Sequence, residues 1–140
     1  MILLDTSGLL CYHDRDQSEH DSAVSFLEGP GRKVVHNYVL AEFVALAQAR
    51  KLDRKKALDF VESVVRHPLV VLVWVDQKLH GEAMKLLRKR VDKTYSLCDA
   101  VSFVVMRRQK IAKALTTDRH FEQEGFRAIL RERPTKPRRR

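Results

Sequence analysis

Met1-Ile2-Leu3-Leu4-Asp5-Thr6-Ser7-Gly8 opens the chain, and its reading decides the fold. Ile2, Leu3 and Leu4 form a short apolar run that stops at an acid and a polar, glycine-containing stretch. Such a run reads as a strand buried on both faces, followed here by a turn over residues 5–8. The same grammar recurs at Val34-Val35-His36 after Gly29-Pro30-Gly31, at Leu69 to Val75 after Pro68, at Ala114-Leu115-Thr116, and at Phe126 to Leu130 after Gly125. Helical patterns fill the intervals: Ser22 to Glu28, Tyr38 to Arg50, a segment from Asp53 to Arg66, another from Asp76 to about Arg90, Ser96 to Arg108, and a short one from Arg119 to Glu124. Ser96 to Arg108 is apolar on nearly every side, which predicts a buried helix. Strands alternating with helices predict an α/β fold: a single three-layer domain whose central, mostly parallel sheet is flanked by helices.

The 140 residues are 44% hydrophobic and 32% charged, and the net charge is +9. Length and composition suit one globular domain. The excess charge is unevenly placed. Residues 131–140, Arg-Glu-Arg-Pro-Thr-Lys-Pro-Arg-Arg-Arg, hold six cations and one anion, against 21 cations and 17 anions in the rest. The chain therefore divides into a folded domain over 1–130 and a basic, proline-broken tail over 131–140, expected to be flexible and suited to phosphate contacts. A polyanion is the expected partner. No apolar run approaches the roughly 18 residues that a membrane span requires. The N-terminus has no basic stretch and meets Asp5 at once, unlike a signal peptide. Cys11 and Cys98 make neither a disulfide framework nor a zinc spacing, and the six histidines show no His-x-x-x-His pairing. A reduced, cytoplasmic protein is expected.

In open α/β sheets chemistry gathers at the carboxyl ends of the strands. Asp5 follows the first strand, Asp118 follows the Ala114–Thr116 strand, Asp99 sits in the first turn of the buried helix, and Glu42 lies in the helix after the second strand. Each has an ordinary structural use: Asp5 and Asp118 as helix N-caps, Asp99 as the acid of a Ser96-x-x-Asp99 capping box, Glu42 as a solvated edge residue. Asp99 and Glu42 resist that use, because Asp99 shares a helix side with Ser102, Phe103 and Met106 on a helix with few polar positions, and Val39, Phe43 and Leu46 lie beside Glu42. Partial desolvation of both is expected, with no lysine or arginine within a turn to neutralise them. Two unit charges about 4 Å apart repel by roughly 4 kcal/mol at an effective dielectric of 20, so four converging carboxylates require protons or cations. Hard divalent ions take such oxygen ligands, and paired ions assist phosphodiester displacement. Acid cluster, basic surround and small α/β domain together point to a metal-dependent nuclease.

Met1-Ile2-Leu3-Leu4-Asp5-Thr6-Ser7, Val39-Leu40-Ala41-Glu42, Tyr95-Ser96-Leu97-Cys98-Asp99-Ala100-Val101-Ser102-Phe103 and Leu115-Thr116-Thr117-Asp118-Arg119-His120-Phe121 resemble, in order and spacing, the PIN-domain family. The likeness covers about residues 1–130, and the Ser-Leu-x-Asp-Ala and Thr-Thr-Asp-x-His-Phe stretches resemble the VapC-type toxin branch. The resemblance implies a PIN-like nuclease domain in which Asp5, Glu42, Asp99 and Asp118 bind Mg²⁺ or Mn²⁺. Thr6, Ser7 and Thr116 would supply hydroxyls near the metals and the scissile phosphate. It further implies a two-metal endoribonuclease leaving a 5′-phosphate and a 3′-hydroxyl, a homodimer, and a VapB-like antitoxin partner. A non-catalytic or RNA-processing PIN domain that only holds RNA or a partner is the alternative. An aspartyl-phosphate enzyme of the haloacid-dehalogenase type would need a second Asp where Ser7 stands. Trp74 reads as core or interface, Cys98 as a small buried hydrophobe, His120 as a surface helix residue, and Arg88-Lys89-Arg90 and Arg107-Arg108 as helix C-terminal charge.

Overall fold

Ile2–Leu4 forms strand β1 in the computed structural model, which describes residues 1–132. All three of its side chains are buried, because it lies at the centre of the sheet with helices on both faces. Strands β2 (Lys33–His36) and β4 (Lys113–Leu115) flank it, with β3 (Val70–Val73) outside β2 and β5 (Arg127–Ala128) outside β4. The order is β3-β2-β1-β4-β5 and every pairing is parallel, Leu3 standing between Val34 and Ala114.

Alternation along the strands splits the core into two layers. Ile2, Leu4, Val35 and Leu115 pack with Leu9, Phe43 and Phe60 of helices α1 (Thr6–His13), α3 (Asn37–Ala49) and α4 (Arg54–Arg66), while α2 (His20–Glu28) adds Ala23 and Leu27. On the other face, Leu3, Val34 and Ala114 meet Leu79, Phe103 and Phe121 of α5 (Gln77–Lys89), α6 (Leu97–Gln109) and α7 (His120–Gln123). The expected three-layer, parallel α/β architecture is the one observed. Asp53 and Asp76 accept from the backbone N–H groups of Lys56 and Leu79, capping α4 and α5 as their positions predict.

Three local expectations are corrected. Residues 6–8 are not a turn: α1 begins at Thr6 and carries Gly8 in its first turn. A Cβ at Gly8 would lie 2.0 Å from the carbonyl oxygen of Leu115, so the glycine lets α1 seat directly on the end of β4. Trp74, read as core or interface, is not core: it is 70% exposed, just past the edge strand β3, and only the interface half of that reading stands. Glu42 is exposed rather than partly desolvated, since α3 buries Val39, Phe43 and Ala47 and turns Glu42 outward.

The sheet order places the site. From β1 the chain steps to β2 and β3 on one side, and β4 and β5 lie on the other. The carboxyl ends of β1 and β4 therefore flank a topological switch point, where open α/β sheets leave a crevice. No helix among the described residues is long and apolar enough to cross a membrane. The tail beyond Glu132, with most of the basic residues expected to be flexible, lies outside the described residues.

Candidate active site

Asp5 leaves β1 at the N-cap position of α1, yet its side chain caps nothing. Its Oδ2 instead accepts from the hydroxyl of Thr116 at 2.7 Å and from that of Ser7 at 3.3 Å. Ser7 Oγ and Thr116 Oγ1 are 3.0 Å apart, and they also accept from the backbone N–H groups of Thr117 and Asp118. This network laces the end of β1 to the end of β4 and fixes where Asp118 begins. Burial pushes the Asp5 carboxyl up to about 7; the hydroxyl of Thr116 pulls the other way, and the Asp99 and Glu42 carboxylates push it further up.

Asp99 occupies the third position of α6 and completes the expected capping box: its N–H donates to Ser96 Oγ and its Oδ2 accepts from Ser96 N–H, both at 3.0 Å. The same Oδ2 lies 3.0 Å from Nδ1 of His120. Burial again raises its pKa, Asp118 adds to the rise, and Ser96 and His120 oppose it. The capping role and a site role are thus not exclusive, since Oδ2 serves the helix and Oδ1 takes no hydrogen bond among the described residues.

Asp118 accepts from the backbone N–H of His120 at 2.9 Å, and its Oδ2 is 3.3 Å from His120 Nδ1. His120 is therefore no surface residue. Its ring is wedged between two carboxylates, with Nε2 on Thr94 Oγ1 at 2.9 Å and its edge against Tyr95. Nothing in the periodicity around residue 120 marks this; the Asp118-x-His120 spacing, which wraps the histidine back over the acid, is the signal available. Asp99, Asp118 and His120 offer ligand atoms that all lie within 4.8 Å of one another. An oxygen-rich group of this kind suits a divalent metal ion.

Asp5, Thr6, Ser7, Glu42, Asp99 and Asp118 all line one open cleft of about 430 Å³, and Thr116 lies buried beneath it against Asp5. Thr6 Oγ1 is buried with no hydrogen-bond partner. Burial pushes the Cys11 thiol up to about 11 and raises Cys98 as well, the latter with Glu42, Asp5 and Asp99 adding to it, which favours the thiol over the thiolate in both. Of the basic clusters, Arg90 and Arg107 clamp Glu124 at 2.7 and 2.6 Å, and Arg108 holds Glu82 at 2.6 Å.

Parallel sheet, switch-point crevice and converging acids define an α/β domain of the nuclease type, and the comparison with known families agrees: the PIN domain profile matches residues 2–126, and the chain belongs to the PIN-domain family. Among curated proteins it is similar to VapC20 of two Mycobacterium tuberculosis strains, CDC 1551 and H37Rv, each described as a 23S rRNA-specific endonuclease. Identity is 30% over 128 residues, covering 90% of this chain and 95% of the relative. The crystal structure of Mycobacterium tuberculosis VapC20, a sarcin–ricin loop cleaving toxin, superposes with a TM-score of 0.82 at 26% identity, covering 91% of this chain and 98% of that one.

Proposed function

We propose that the chain is a metal-dependent endoribonuclease and the toxin of a toxin–antitoxin pair. It hydrolyses RNA phosphodiester bonds with Mg²⁺ or Mn²⁺ held by Asp5, Asp99, Asp118 and Glu42. The observation that carries this reading is the single cleft lined by those acids from four separate places in the chain: Asp5 after β1, Glu42 within α3, Asp99 in the first turn of α6 and Asp118 after β4. The donor set fits the ion: the Asp5 and Asp99 carboxyls are raised in pKa by burial and by neighbouring carboxylates, beside a buried hydroxyl at Thr6 left without a partner. When bound, such an ion activates water and stabilises the leaving oxygen of an in-line displacement.

The rest is done by the chain. Ser7 and Thr116 hold Asp5 through Oδ2, so its second oxygen is presented in a fixed direction. Ser96 and His120 do the same for Asp99. His120, bridging Asp99 and Asp118, keeps the two carboxylates together when no ion offsets their repulsion. A 5′-phosphate and a 3′-hydroxyl are the expected ends. The likeness to VapC20 makes the sarcin–ricin loop the first RNA to try. A VapB-like antitoxin, a homodimeric state and a cytoplasmic location belong to the same reading.

The test is cleavage of a sarcin–ricin hairpin and of total RNA, with end mapping. Asp5→Asn and Asp99→Asn should each lose more than about 100-fold in rate, since even residues supporting a metal ligand cost 10–100-fold, while circular dichroism stays native. EDTA should stop the reaction and excess Mg²⁺ or Mn²⁺ restore it. Full activity in either variant overturns the reading.

A further inference from the structure

We infer that the groove between α1 and α3 is a subsite for the RNA strand flanking the scissile phosphate, and that Arg50 anchors a phosphate there. The inference rests on the nuclease reading and extends it to how the substrate is held. The cleft does not stop at the acids. It continues along α1 past Leu10 and Cys11 and along α3 past Leu46 to Arg50, which follows the last residue of α3. Glu42, Leu46 and Arg50 are spaced four residues apart and share one helix face, so Arg50 lies about 12 Å along the axis from Glu42.

Charge gives this end of the groove its meaning. Asp5, Glu19, Glu42, Asp99 and Asp118 all line the cleft, and Arg50 is the only lysine or arginine among the lining residues. Cations at the strand ends would neutralise the acids locally. Screening limits that relief to about 8–10 Å, and a polyanion threading further must find its own counter-charge. A guanidinium is suited to the task, since it grips phosphate with two parallel hydrogen bonds.

Arg50 is also available. Arg90, Arg107, Arg108 and Arg131 are spent on Glu124, Glu82 and Glu122, whereas the Arg50 side chain makes no ion pair or hydrogen bond among the described residues. Its field reaches the groove wall, where it opposes the rise of the Cys11 pKa. The competing use is structural: a cation at a helix C-terminus interacts favourably with the dipole. That role would leave RNA binding untouched.

The experiment compares wild type with Arg50→Ala, Arg50→Lys and Arg50→Glu on a labelled sarcin–ricin hairpin and an unstructured 20-nucleotide RNA. Binding is read by fluorescence polarisation across a salt series, and cleavage by steady-state kinetics. Arg50→Ala should raise KM about tenfold with kcat within twofold, and should flatten the log–log salt dependence of binding by about 0.7, the value of one phosphate contact on a single strand. Arg50→Lys should keep the slope with weaker binding, and Arg50→Glu should bind worst. Calorimetric Mn²⁺ binding without RNA and the melting temperature should not change. An unchanged KM and salt slope in Arg50→Ala overturns the inference, as does a loss in kcat alone. If wild type binds these RNAs but cuts neither, the nuclease reading fails while the binding comparison still decides the role of Arg50.

Discussion

Asp5 follows β1 and His36 ends the neighbouring β2, and folding shifts their two titrations in opposite directions. Folding lifts the Asp5 carboxyl from 3.8 to about 7, chiefly by burial, so the folded chain keeps a proton that the unfolded chain gives up. The stability this contributes is present below about pH 4 and is lost as pH rises to 7. His36 is the reverse case. Fully buried, with Nδ1 accepting from Val39 N–H and Nε2 therefore donating to Ser102 Oγ at 2.8 Å, it is lowered by desolvation from 6.5 to about 4. Its contribution is present above pH 6.5 and lost as pH falls through 4. The two slopes oppose each other between pH 4 and 6.5, so the prediction lies in a difference. In chelator, the stability of Asp5→Asn relative to wild type should grow as pH rises from 4 to 7, and Mn²⁺ should narrow the gap by stabilising only the intact site. Melting temperatures at four pH values check this; a gap that does not change with pH means that Asp5 titrates as an ordinary carboxyl. His120 belongs to the same scale. Touching Asp99 and Asp118 through Nδ1, it is a positioning residue, and His120→Ala should weaken Mn²⁺ binding by calorimetry 10–100-fold with the melting temperature nearly unchanged.

Helix α1 shows how much one element depends on one missing methyl group. A Cβ at Gly8 would lie 2.0 Å from the oxygen and 2.7 Å from the carbon of the Leu115 carbonyl, both backbone atoms that cannot swing away. Gly8→Ala should therefore cost at least the roughly 1–3 kcal/mol of an overpacked core, and, by lifting α1 off β4, should loosen the Asp5–Thr116 contact. Gly81 is the control: within α5, with nothing within 4 Å of its would-be Cβ, its replacement by Ala should stabilise by about 0.5–1 kcal/mol. Chemical denaturation of the two variants separates close approach from helix propensity. The same glycine explains what the sequence concealed. Strands β1 to β5 and six helices announced themselves through apolar runs and the 3.6-residue period. Helix α1, packed against both sheet and neighbouring helices, has no polar face to set a period, and its Gly8 reads locally as a turn. Asp5 and Asp118 were legible because they follow apolar runs at strand ends, and Asp99 because it interrupts an apolar helix. The exposure of Glu42 and the turning-in of His120 depend on how α3 and α7 roll against the sheet, which residue spacing does not encode.

Across the whole molecule the charge is divided by position. The acids gather at the switch point, while the described chain ends on that side too: Leu130 N–H donates to Thr116 O, and the Arg131 guanidinium reaches the carbonyl of Thr117, which lines the cleft. Arg131 is also paired with Glu122, and Glu132 makes a two-pronged pair with Arg127, so these residues are fastened to the domain. The residues after them in the sequence, Arg133 to Arg140, carry five cations and no anion. Cations joined to the chain directly after Glu132 attract a polyanion without supplying a ligand to the acids, so the tail should strengthen capture more than chemistry. Truncation after Glu132 leaves the fastening pairs in place and isolates this effect. The shortened chain should melt within about 2 °C of wild type and cut at the same position. Its RNA affinity should fall and its salt dependence flatten by up to about 3.5, the value of five phosphate contacts on a single strand, against about 0.7 for Arg50→Ala. A truncated chain with an unchanged salt slope would leave RNA capture to the domain alone.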